Sequence, residues 1–216
     1  MARLKVGVLI SGRGSNLQAL IDACAAPDYP AEIVVVLSNR ADALGIERAR
    51  RAGLKATVIP HRDFAERHGF EVALDHALRE AGAEFVCNAG FLRILTPWFV
   101  ERWCDRQINI HPSLLPAFPG LHTHERALAA GVRFSGCTVH FVRPQMDEGP
   151  IIAQAAVPVL AGDDAETLAA RILAAEHRLF PLALRLVAEG RAKVVGDRVV
   201  IAGGNAPTAA VLNPSA

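Results

Sequence analysis

Three polar side chains have the types and spacing to do chemistry. Asn109 and His111 are two positions apart at the carboxyl end of the strand-like run Gln107 to Ile110. Strand alternation puts both on one side as long as the extended conformation persists. A histidine there can act as general acid or base near neutral pH, and an asparagine amide can donate to a developing oxyanion. Asp147 lies in the turn-rich stretch from Arg143 to Pro150. If that loop folds back over the pair, its carboxylate stabilises the charged imidazole, although no spacing rule requires the approach. A lone histidine is ordinarily a packing or surface residue; the run Asn109-Ile110-His111-Pro112-Ser113 is what argues for a functional one.

A second candidate is Ser11-Gly12-Arg13-Gly14-Ser15-Asn16, between a hydrophobic first strand and a helix. Two readings stand side by side. Either backbone N–H groups at the helix start, with serine and asparagine donors beside them, hold a phosphate, or Gly12 and Gly14 serve the geometry of the turn alone. A dinucleotide fingerprint would need glycine where Leu17 stands, and the G-K-[ST] of a P-loop is absent. His122 and His124 raise the question of zinc together with His111 or Asp147, but no H-E-x-x-H or cysteine pair accompanies them. No metal is expected, and these two read as substrate-loop or surface residues.

These side chains need a scaffold. Short β-branched runs (Val6 to Ile10, Ile33 to Leu37, Thr57 to Ile59, Phe85 to Cys87) alternate with helical patterns (Leu17 to Ala26, Ala43 to Ala52, Phe64 to Glu80). Such alternation predicts an α/β fold with a doubly wound, mostly parallel open sheet, and the crevice outside its strand carboxyl ends is where ligands bind. Pro97 suits the first turn of a short helix. The three prolines between His111 and Gly120 predict an ordered loop, followed by a helix from about Thr123 to Ala130. Cys137 to Val142 and Ile151 to Val159 read as an antiparallel pair. A long helix capped by Asp163 or Asp164 runs to about Gly190, and Gly196-Asp197 turns a terminal hairpin. The expectation is one domain over 1–203 and a loose tail over 204–216.

The 216 residues are half hydrophobic and about a fifth charged, with a formal net charge of +1. That is ordinary globular composition, with no signature of a nucleic-acid or membrane partner. Cys24, Cys87, Cys104 and Cys137 are scattered, without C-x-x-C spacing, and read as reduced thiols, most of them buried. With no leader-like segment ahead of the first strand, the cytoplasm is the expected compartment.

Several spaced motifs, in one order, carry a resemblance. Ile10 to Leu17, Ala89-Gly90-Phe91-Leu92-Arg93-Ile94-Leu95, Asn109 to Pro116, Pro119 to His124, Val139 to Val142 and the Asp147 loop closely resemble the folate-dependent phosphoribosylglycinamide formyltransferase family, over roughly residues 4 to 190. The resemblance implies a Rossmann-like formyltransferase fold and transfer of the formyl group of 10-formyltetrahydrofolate, as co-substrate and without a metal, to the amine of glycinamide ribonucleotide in purine synthesis. It further implies that Gly14, Ser15 and Asn16 hold the ribonucleotide phosphate and that Glu176 contacts its ribose or glycinamide portion. Arg67, Leu92, Arg93, Ile94 and Leu95, with Asn109 and the loop from about Val142 to Asp147, would line the folate site, and Asn109, His111 and Asp147 would be catalytic.

The implied partners are small molecules, with the protein itself a monomer or homodimer. Three positions depart from the family's pattern: Glu148 where a small residue is common, Asn88 where an aliphatic one is expected, and Arg13 at a variable position of the phosphate loop. The rivals are another folate-formyl enzyme, either a deformylase or a methionyl-tRNA formyltransferase, and a non-catalytic phosphate-ligand module on the same fold. A tRNA formyltransferase would be expected to carry a further C-terminal domain and a deformylase an N-terminal regulatory one. The loops at 11 to 16 and 119 to 124 favour the ribonucleotide.

Overall fold

The structure is a computed structural model that describes residues 2–204 and 208–214. Its first half realises the βα alternation: β1 (Leu4–Ile10), α1 (Ser15–Cys24), β2 (Ala31–Ser38), α2 (Leu44–Arg51), β3 (Ala56–Val58), α3 (Arg67–Glu80), β4 (Phe85–Asn88), α4 (Pro97–Arg102) and β5 (Gln107–His111). Then come α5 (Thr123–Ala129), β6 (Phe134–Phe141), β7 (Ile151–Pro158), α6 (Ala165–Ala188), β8 (Ala192–Val195) and β9 (Arg198–Ile201). The main sheet is ordered β3-β2-β1-β4-β5-β6-β7, parallel from β3 to β5 and antiparallel from β5 to β7, and β8 and β9 pair separately. Strand order therefore reverses between β1 and β4, the switch point where an open sheet leaves a crevice at its carboxyl edge.

Both faces of the sheet are covered, which is why β1 and β2 are nearly continuous apolar runs. Val6, Val8 and Ile10 pack with Leu17, Leu20, Ile172 and Phe180 of α1 and α6. Leu9, Val35 and Leu37 pack on the other face with Phe70, Leu74, Leu78 and Phe99 of α3 and α4, and with Trp103 just after α4. Gly7 lets α3 come close: a Cβ there would stand 2.2 Å from Leu78 Cδ2.

Some boundaries differ from the sequence reading for identifiable reasons. The helix expected from Phe64 begins at Arg67, because Phe64 and Glu66 are extended and the Phe64 ring turns in to meet Phe70 edge-on at 5.9 Å. Strand β6 starts at Phe134 rather than Cys137. Gly136 extends the strand by lying close against β7, where a Cβ would sit 1.9 Å from the Ala155 carbonyl oxygen. Of the two capping candidates, Asp164 accepts from Thr167 N in a capping box, while Asp163 pairs with Arg171 at 2.8 Å. Cys24, Cys87 and Cys137 are buried, Cys104 is exposed, and all four are free. In the expected tail, residues 205–207, 215 and 216 lie outside the described residues, and Asn213 Nδ2 donates to the Val159 carbonyl at 3.1 Å. No described helix is long and apolar enough to cross a membrane.

Candidate active site

The three residues singled out for chemistry come together at the carboxyl end of β5. Asn109 pairs in register with His140 of β6, and His111 with Thr138. The loop after β6 folds back so that Asp147 Oδ2 lies 3.4 Å from His111 Nδ1, with the two side chains 11% and 7% exposed. Asp147 takes a left-handed backbone, φ 60, a strained conformation for a non-glycine residue and one that clusters at functional sites. Two contacts hold it there: Gly120 N donates to Asp147 Oδ2 at 2.8 Å, and the loop returns through Gly149, where a Cβ would stand 1.7 Å from the Phe141 carbonyl oxygen.

Hydrogen-bond chemistry assigns the protons. His111 Nε2 lies 3.0 Å from the Phe118 carbonyl oxygen, which only accepts, so Nε2 carries hydrogen. Nδ1 faces the Asp147 carboxylate at 3.4 Å, an ion-pair contact when the ring is charged. His140, unmentioned among the sequence candidates, completes the cluster. Its Nδ1 lies 2.9 Å from the Phe141 carbonyl oxygen, so Nδ1 is the protonated nitrogen and Nε2 accepts from Asn109 Nδ2 at 3.3 Å. Burial pushes the His140 pKa below its ordinary value, which keeps it neutral and fit for that role. Asn109 is left with a second N–H for an oxyanion. Strand β6 is buried from Ser135 to Phe141, so in the sequence His140 is indistinguishable from its core neighbours.

The proline-rich loop after His111 is ordered, as its composition predicts. Thr138 Oγ1 donates to the Ser113 carbonyl at 2.7 Å and accepts from Leu115 N at 3.1 Å, and Gln154 Nε2 donates to the Leu115 carbonyl at 2.8 Å.

On the α1 side, Ser15 opens the helix and Gly14 precedes it with φ 70 and no side-chain cap, so the first N–H groups of α1 remain available. Asn16 Nδ2 donates to Glu176 Oε2 of α6 at 2.7 Å. Burial pushes the Glu176 carboxyl above its usual pKa, and the Asn16 bond opposes that shift. Gly14 also has a structural duty: a Cβ there would stand 2.5 Å from Gly45 Cα. The turn's own geometry therefore requires this glycine, and the helix start beside it carries no side-chain cap. Arg13 is exposed, and its carbonyl accepts from Arg48 Nε at 2.9 Å.

On the α3 side, the stretch Leu92 to Leu95 is pinned at both ends. Leu92 N donates to Ser11 Oγ at 2.8 Å, and Thr96 N donates to Glu71 Oε1 at 2.7 Å. Leu95 is buried while Leu92 and Ile94 are 71% and 60% exposed, which makes a fixed apolar platform. Arg67 is exposed at the start of α3 and Arg93 is half-buried. Glu148 faces solvent, as do His122 and, in part, His124. No group of three or more His, Cys, Asp or Glu side chains among the described residues is placed to hold a metal ion.

Comparison with known proteins places the chain in a family. Residues 4–184 match the family described as Formyl transferase. Over 191 residues the chain is 46% identical to a phosphoribosylglycinamide formyltransferase of Escherichia coli (strain K12), covering 88% of this chain and 90% of that one. It is 56% identical over 197 residues to the trifunctional purine biosynthetic protein adenosine-3 of Drosophila pseudoobscura pseudoobscura, covering 90% of this chain but spanning only 14% of that much longer relative. The crystal structure of glycinamide ribonucleotide transformylase 1 from Symbiobacterium toebii superposes with a TM-score of 0.90 at 51% identity, covering 92% of this chain and 94% of that one.

Proposed function

The chain belongs to the formyl transferase family, and from that premise we propose that it moves the formyl group of 10-formyltetrahydrofolate onto the amine of glycinamide ribonucleotide. The observation that carries the reading is the His111–Asp147 contact at 3.4 Å, standing between an open helix start on one side and a pinned apolar platform on the other. Gly14, Ser15 and Asn16 hold the phosphate, with helix N–H groups as donors, and Glu176 receives the ribose or glycinamide portion. Arg67, Leu92, Arg93, Ile94 and Leu95, with Asn109, receive the folate.

The substrate amine attacks the formyl carbon, whose oxygen gathers charge. Asn109 donates its free N–H to that oxygen, and the charged His111 adds electrostatic stabilisation. As the bond to the folate nitrogen breaks, His111 supplies a proton to the leaving nitrogen; the amine loses one in exchange, so the proton count balances. The Asp147 carboxylate faces the charged imidazole until that proton is delivered. Because Nε2 is bonded to the Phe118 carbonyl in this structure, that carbonyl gives way to substrate before the proton is delivered. On this reading the protein acts in the cytoplasm on small-molecule substrates, as a monomer or homodimer, and needs no metal. Incubation with both substrates tests it: tetrahydrofolate is released in proportion to ribonucleotide consumed, and a folded protein that releases none above background is not this enzyme.

A further inference from the structure

Positions 88 and 107 carry amides on the sheet face that also bears Leu9, Val86 and, toward its carboxyl edge, Asn109. In register, Asn88 stands beside Leu9 on one strand and Asn109 on the other, and Gln107 stands beside Val86. Leu9 and Val86 belong to the cluster under α3 and α4. Asn88 is 7% exposed and Gln107 1%. Gln107 Nε2 donates to Asn88 Oδ1 at 3.0 Å, yet Gln107 Oε1 is fully buried without a partner. Two aliphatic side chains would avoid that unfavourable burial, so packing alone does not account for the pair. The bond to Gln107 fixes which way the Asn88 carboxamide is turned. Asn88 Nδ2 has no partner among the described residues and is not one of the fully buried unpaired atoms, so it keeps some access to a ligand, one strand from Asn109.

We infer that Asn88 is a specificity-determining residue for the formyl carrier, donating from Nδ2 to a ring nitrogen of the carrier, and that Gln107 is a positioning residue that holds the carboxamide in that orientation. The inference rests on the folate-dependent reading above. The side of the sheet decides which substrate is read. Asn88 shares the face of Leu9 and Val86 under α3 and α4, and Leu92 follows it by four positions. Asn16 and Glu176 meet across α1 and α6 on the opposite face. A carrier with carbon in place of the ring nitrogen leaves Nδ2 unpaired in the complex and is bound less well, the usual basis for rejecting an analogue that lacks a polar atom.

The test compares 10-formyltetrahydrofolate with 10-formyl-5,8-dideazafolate, in which carbon replaces two ring nitrogens, as carriers for the wild type, Asn88→Leu, Gln107→Leu and the double variant. The ratio of kcat/KM between the two carriers is expected to fall by about 3- to 10-fold in Asn88→Leu and in the double variant, the size of one neutral hydrogen bond, with KM for the ribonucleotide unchanged. Gln107→Leu lowers the ratio by less. The double variant replaces an imperfectly satisfied amide pair with two aliphatic side chains, so it keeps the fold if either single change does not. Turnover of both carriers with an unmoved ratio in the double variant overturns the Asn88 assignment alone. A wild type inactive with both carriers overturns the folate-dependent reading and this inference with it.

Discussion

Replacing Asp147 with asparagine keeps the shape of the loop and removes one charge. The carboxamide oxygen of the variant can still accept from Gly120 N, so the 2.8 Å contact that anchors the loop survives. What disappears is the carboxylate 3.4 Å from His111 Nδ1 and 3.9 Å from His140 Nε2. Two unit charges about 4 Å apart interact by about 4 kcal/mol at an effective protein dielectric of about 20, and contact beyond ideal hydrogen-bond length brings the useful share to roughly 2–4 kcal/mol. Asp147→Asn is therefore expected to lower kcat by about 30- to 1,000-fold. The KM for glycinamide ribonucleotide should move by less than about threefold, because the proposed phosphate site is on α1, away from the Asp147 loop. Steady-state kinetics with each substrate varied in turn, with circular dichroism to check the fold, make the measurement. Equal losses in kcat and in ribonucleotide affinity would mean that Asp147 binds substrate, and a loss below about threefold would mean that its charge is idle.

Replacing Ser15 and Asn16 with alanine raises the KM for the ribonucleotide with a smaller effect on the carrier, read from initial rates with each substrate varied in turn; a purely carrier-side effect refutes the phosphate assignment. Gly14→Ala forces a side chain into φ 70 and against Gly45 Cα, and thermal unfolding should show a loss of about 1–3 kcal/mol. Glu176 holds its proton more tightly when folded, so the folded chain binds more protons than the unfolded one and stability falls as pH rises from the unfolded carboxyl range through the raised folded value. Glu176→Gln removes that slope and raises Tm at neutral pH while weakening the ribonucleotide; a pH–Tm profile identical to that of the wild type would refute the burial argument.

Much of the scaffold is legible because the physics is local. A parallel sheet buried on both faces demands apolar runs, helices between them demand a wider period, and both are written in Leu4–Ile10, Ala31–Ser38 and Arg67–Glu80. Asn109 and His111 are legible for the same reason, since alternation in β5 sets their common face. What is not legible depends on contacts between distant segments. Asp147 reaches His111 because a strained loop is held by Gly120 and Gly149, and no spacing encodes that. His140 lies within a core strand and gains meaning only from its partner Asn109 across β5 and β6. Gly14 shows the opposite case: the turn's own geometry accounts for it in space, while the phosphate it is proposed to help hold is a matter for the kinetics above.

The account stands most directly on the fate of the formyl carbon. With an isotope-labelled formyl group on the carrier, the label should appear on the amine of glycinamide ribonucleotide in step with tetrahydrofolate release, and His111→Ala should abolish both. Label recovered as free formate, with the ribonucleotide unchanged, would make water the acceptor and contradict the assignment.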